Sequence, residues 1–79
     1  MEKYLNRSGN SPISHYQINA DSLTVWFKGN PKAYTYPEYL TGSSHMAQLK
    51  SNAQRGKGLS AYINKNVRDK FFFVILFFF

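Results

Sequence analysis

Asp21-Ser22-Leu23-Thr24-Val25-Trp26-Phe27-Lys28-Gly29-Asn30-Pro31-Lys32-Ala33-Tyr34-Thr35-Tyr36-Pro37 is the stretch that decides the fold. Leu23 to Phe27 is dense in β-branched and aromatic residues, which suit a pleated, half-buried surface. Successive strand side chains point to opposite faces, so Leu23, Val25 and Phe27 fall on one side and Thr24 and Trp26 on the other. Lys28-Gly29-Asn30-Pro31-Lys32 reads as a turn, because Gly, Asn and Pro each favour chain reversal for their own conformational reasons. Ala33-Tyr34-Thr35-Tyr36 makes the next strand, which Pro37 stops. The pair predicts an antiparallel hairpin with one apolar face.

Toward the N-terminus, Tyr16 and Ile18 alternate with Gln17 and Asn19, the pattern of a further half-buried strand beginning at Ile13. Asn19-Ala20-Asp21-Ser22 is its turn into Leu23. Residues 1–12 hold Asn6, Ser8, Gly9, Asn10, Ser11 and Pro12 with little apolar content, and read as a flexible arm. Toward the C-terminus the period changes. Thr41, Ser43 and Ser44 are candidate helix caps, and Met46, Leu49 and Ala53 follow at i, i+3 and i+7, one stripe of a helix. Arg55-Gly56-Lys57-Gly58 ends it, since glycine adopts the left-handed geometry of a helix terminus. Leu59, Ile63 and Val67 form a second stripe, with Ser60 as a candidate cap and Arg68 and Lys70 placed favourably for the helix dipole.

A sheet with one apolar face needs a covering layer. The expected fold is therefore α+β, a three-stranded antiparallel meander followed by two helices packed on one face (β-β-β-α-α). The domain spans residues 13–70, with Val25, Phe27, Tyr34, Met46, Leu49, Leu59, Ile63 and Val67 in its core.

The 79 residues allow one domain, and a chain this short buries only about 60% of its unfolded surface. There is no cysteine, and His15 and His45 are the only histidines, so neither disulfides nor a thiolate-bound zinc can supplement the core. No cofactor or metal is expected. One Trp, six Tyr and seven Phe supply large apolar areas instead. Absence of cysteine suits a cytoplasmic protein, and the polar Met1 to Arg7 segment lacks the apolar core of a secretory signal. The apolar run Phe71 to Phe79 would rise only about 13 Å as a helix, against a bilayer core of about 30 Å, so a transmembrane span is not expected. Its lack of alternation argues against an added edge strand, and its lack of a polar face against a membrane-surface anchor. Phe, Val, Ile and Leu share T-rich codons, so the expectation for residues 71–79 is a read-through or frameshifted extension, with Phe71 or Phe72 kept as a candidate cap on the core.

Taken in order, Ser8-Gly9-Asn10-Ser11, Tyr16-Gln17-Ile18, Asp21 to Phe27, Tyr34-Thr35-Tyr36, Met46-Ala47-Gln48-Leu49-Lys50 and Gly56-Lys57-Gly58-Leu59-Ser60-Ala61-Tyr62-Ile63-Asn64-Lys65-Asn66-Val67-Arg68 resemble the KTSC domain. That module is named for the C-terminus of some lysyl-tRNA synthetases and also occurs as short stand-alone bacterial and phage proteins. The resemblance runs from about Arg7 to Phe72, and the rest of the tail departs from it. It implies a stand-alone α+β domain without an established activity, for which the synthetase context suggests RNA binding.

The net charge is +6, from ten Lys and Arg against four Asp and Glu. Such a balance serves solubility, or it marks a polyanionic partner: RNA, DNA or an anionic membrane surface. Trp26 faces away from Val25 and Phe27. With Lys28 and Lys32 beside it, it is a candidate for base stacking on the open side of the sheet. Its alternative is a small cluster beneath the N-terminal arm. Arg55, Lys57, Lys65 and Arg68 complete the candidate nucleic-acid-binding set. The Arg55–Gly58 loop also leads into a helix N-terminus, a place for a phosphate, without the spacing of a P-loop. Tyr34 and Tyr36 share a face, and either pack beneath the helices or form a stacking platform. His15 and His45 have no partner at fixed spacing, and Glu2, Asp21, Glu38 and Asp69 are isolated in sequence, so no catalytic set is expected. The expected function is a non-enzymatic module that binds nucleic acid. The alternative is a structural or protein–protein interaction module whose charge serves solubility.

Overall fold

A computed structural model of the chain describes residues 1–75. Their elements are β1 (Glu2–Lys3), β2 (Ile13–Ile18), β3 (Ser22–Phe27), β4 (Lys32–Pro37), α1 (Glu38–Thr41), α2 (Ser43–Arg55), α3 (Leu59–Tyr62), a π-helical continuation (Ile63–Val67) and β5 (Phe72–Ile75). The strands form one antiparallel sheet in the order β1-β2-β3-β4-β5. The class is α+β, and the predicted meander is its centre.

Register follows from the alternation. Leu23 lies opposite Tyr36 and Val25 opposite Tyr34, while Tyr16 and Ile18 on β2 face Val25 and Leu23. These residues share the face that the helices cover, where Met46, Leu49 and Ala53 of α2 meet Leu59, Ile63 and Val67. Both helical stripes are buried as predicted, and all but Phe27 and Tyr34 of the expected core residues are fully buried; those two are half-buried against it. Gly56 ends α2 in the left-handed region, its N–H donating to the Asn52 and Ala53 carbonyls.

The sheet has five strands rather than three, and both additions come from segments read otherwise. The arm is not loose. Glu2 and Lys3 pair with Tyr16 and His15, and Tyr4 is buried, its hydroxyl accepting from the Leu59 N–H at 3.3 Å. The Arg7 N–H donates to the Gly56 carbonyl at 2.7 Å. The buried Tyr4 ring, the β1 ladder and the bonds of Tyr4 and Arg7 to Ser14 and Gly56 together offset the entropy of ordering the arm. At the other edge, Phe72 to Ile75 pairs with Thr35 to Lys32, which satisfies the outer backbone groups of β4. Alternation is not needed for a strand whose ladder is set by a neighbour. Phe71 joins the core, its ring 4.9 Å from Tyr34 and 5.6 Å from Tyr36. Residues 76–79, the remainder of the predicted extension, lie outside the described residues.

The predicted caps also shift by a residue or two. Gly42 precedes α2 and Gly58 precedes α3, with no side-chain cap at either; the Thr41 hydroxyl donates to the Gly42 carbonyl instead. Lys50 of α2 reaches the carbonyls of Asn19 and Ala20 at 2.8 and 3.1 Å, tying the helix to the β2–β3 turn.

Two substitutions test this packing. Ile63→Ala should lower stability by about 2–5 kcal/mol in chemical denaturation, the usual range for a buried large-to-small change; an unmoved midpoint would place Ile63 outside the core. Gly56→Ala should also destabilise, because Gly56 sits at φ +71° and a Cβ there runs into the side chain of Leu5. A Leu5→Gly background, which removes the Cβ that is met, should recover part of that loss.

Candidate nucleic-acid interface

The helices cover the Leu23 face, so the opposite face of the sheet is assembled from the residues that alternate with the core. Register aligns them in two rows. Lys3 lies opposite His15, His15 opposite Trp26, and Trp26 opposite Ala33, giving a row of cation, imidazole, indole and methyl across four strands. The adjacent row is Gln17, Thr24, Thr35 and Phe72. Lys3 is exposed, His15 and Trp26 are half-buried, and Phe72 is 46% exposed.

The second row is polar but committed. The hydroxyls of Thr24 and Thr35 are 3.0 Å apart. Asn19 donates to the Ser22 and Thr24 hydroxyls at 2.9 and 3.2 Å, and Gln17 donates to Asn19 at 3.1 Å. These groups largely satisfy one another, which leaves the rings and cations as the groups to offer a ligand. Lys28 joins Lys3, His15, Asn6 and Ser14 around one shallow groove at this end of the face. A second groove, at the other end, is lined by Asp21, Ser22, Thr35, Glu38, Tyr39 and Phe72 among others.

The predicted site residues do not come together on one surface. Trp26 and Lys28 belong to the uncovered face and its rim. Lys32 follows the alternation of Tyr34, onto the helix side of β4. Arg55, Lys57, Lys65 and Arg68 are exposed on the helix layer, and Arg55 donates to the Asn52 amide oxygen at 2.6 Å. Of the arm, Glu2–Lys3 joins the sheet beside β2, and Ser8, Asn10 and Ser11 line a groove with Gly58, Ser60 and Asn64 on the helix layer. At the Arg55–Gly58 loop, one of the helix-start donors, the Leu59 N–H, is taken by the Tyr4 hydroxyl. Tyr34 and Tyr36 lie under the helices, Tyr36 only 2% exposed, and are not a platform.

Lys3 and His15 were missed by the sequence reading. The β1–β2 pairing places them, and a two-residue strand leaves no periodic signal. His45 Nδ1 and the Tyr62 hydroxyl share a hydrogen bond of 2.7 Å that links α2 to α3, a pairing invisible in sequence across 17 residues. Among the described residues, no three His, Asp or Glu side chains gather as metal ligands, and no helix is long and apolar enough to cross a membrane. No protein-family model, curated protein or solved structure matches the chain.

Burial pushes the Tyr36 phenol up to about 12, with neighbouring Tyr34 adding to it. A pKa raised on folding favours the neutral phenol in the native state, so its contribution to stability is full below pH 10 and is lost as pH rises through about 12. Phenolate absorbance should show a tyrosine ionising near pH 12, and Tyr36→Phe should flatten the alkaline fall in stability.

Proposed function

We propose that the chain is a small module that binds single-stranded nucleic acid on the uncovered face of its sheet. The observation that carries this reading is the row Lys3–His15–Trp26, in which an indole and a cation share a face that no helix covers. Base stacking on an aromatic residue combined with neighbouring charge is the chemistry of sequence-tolerant single-strand binders. Tolerance follows from the adjacent row, because amides and hydroxyls engaged with one another have little left to read base edges. The helix-layer cations Arg55, Lys57, Lys65 and Arg68 add to the long-range field that draws a polyanion in. The resemblance to the KTSC domain, with its synthetase context, points the same way. A second reading, a structural or protein–protein interaction module, draws on β5, an uncharged apolar strand at the sheet edge, since such edges pair with other chains.

Trp26 is the sole tryptophan, so its fluorescence reports on this face alone. Oligouridylate should quench it near 50 mM salt, and affinity should fall steeply as salt rises, with a log–log slope of about −0.7 per phosphate neutralised. Lys3→Gln and Lys28→Gln should each flatten that slope by about 0.7. In a folded Trp26→Ala variant, binding followed by anisotropy of labelled RNA should weaken by about 1–3 kcal/mol. Absence of any binding at low salt would favour the interaction module.

A further inference from the structure

The uncovered face is electrically divided. Lys3, His15 and Lys28 stand around the groove at one end, whereas Asp21 and Glu38, two of the four carboxylates in the chain, line the groove at the other. A backbone hydrogen bond of 2.8 Å from the Glu38 N–H to the Asp21 carbonyl holds the two acidic segments together. Both side chains are exposed. Lys50, the cation that hydrogen bonding brings nearest to Asp21, has its ammonium on the Asn19 and Ala20 carbonyls. Trp26 and Ser22, which mark the two ends on β3, are four residues apart, about 13 Å along the strand.

Resting on the nucleic-acid reading above, we infer that the face takes only a short single-stranded segment, anchored at Lys3–His15–Trp26 and stopped along β3 by the carboxylates of Asp21 and Glu38. A phosphate carried past Thr24 and Thr35 enters the field of two like charges, which is unfavourable and weakly screened at low salt. Bases stack at the basic end, while at the acidic one the repulsion offsets what further bases would gain on the exposed Tyr39 and Phe72 rings. The chemical class of partner is then a loop or strand end, not a long continuous strand.

The test is a length series of oligouridylates from about 2 to about 16 nucleotides, the upper range of known single-strand sites, followed by Trp26 fluorescence in the full chain at fixed low salt. Wild-type affinity, corrected for the number of binding registers, should level off at about 4 nucleotides. The double variant Asp21→Asn/Glu38→Gln should keep gaining with length and bind the longest oligomer roughly tenfold more tightly, as added phosphate contacts release counterions. Asp69→Asn, a helix-layer change of charge, should tighten binding evenly at all lengths and leave the plateau in place. Glu38→Gln alone, at an exposed helix start, gives the same readout in smaller measure should the double variant unfold. Identical length curves for wild type and the acidic-end variants would overturn the short footprint while leaving the face as a binding surface. Absence of quenching at every length would overturn the face itself.

Discussion

The cross-strand pairing of Leu23 with Tyr36 and Val25 with Tyr34 is the constraint on which the domain depends. Side chains alternate along β3 and β4, so a slip of one residue would bring Thr24 and Trp26 under the helices and turn Leu23 and Val25 out to water. The covering layer is small, one long helix and a second of mixed α and π geometry, and it covers a single face. The buried apolar residues Leu23, Val25 and Tyr36 lie beneath it, against Met46, Leu49, Leu59, Ile63 and Val67. What alternates with those residues is therefore presented on the other side, whatever its chemistry. The Thr24–Thr35 hydroxyl contact on that side belongs to the same register and holds it from the opposite face.

The edges of the sheet depend on the same arrangement. Tyr4 enters the core between the sheet and the start of α3, which fixes the position of Lys3 beside His15. Phe71 packs on Tyr34 and Tyr36 and sends the chain back along β4. The close approach of Leu5 to Gly56 joins the arm to the end of α2. A chain this size has few contacts to spare, and single aromatic residues at its two ends extend a three-stranded centre into five strands. The positions of the uncovered-face residues are thus consequences of core packing.

Much of the fold was legible because it is written in local periods. The two-residue alternation of Leu23 to Phe27, the stripes Met46–Leu49–Ala53 and Leu59–Ile63–Val67, and the glycine at the end of α2 are each patterns within one element. What escaped was non-local. Tyr4 bonds to Leu59 across 55 residues and Lys50 to Asn19 across 31, and no spacing rule announces either. The π-helical turn kept the Leu59 stripe buried, so it left no mark on the pattern. The candidate site was legible in Trp26, whose side of the sheet follows from alternation, but not in Lys3 and His15, whose place follows from strand pairing. Cations chosen for their charge alone, Arg55, Lys57, Lys65 and Arg68, fell on the other layer.

The charge is thus spread over two surfaces, and on the sheet surface Trp26 shares a register row with His15 and Lys3. Steering by the helix layer and contact at the sheet are different roles, and residue-resolved binding data separate them. Backbone amide shifts in a nitrogen–proton correlation spectrum, recorded while single-stranded RNA is added at low salt, test this most directly. The account predicts shifts centred on Lys3, His15, Trp26 and Lys28, with the amides of Arg55, Lys57, Lys65 and Arg68 nearly unmoved. Shifts confined to the helix layer, with Trp26 and His15 unmoved, would contradict it.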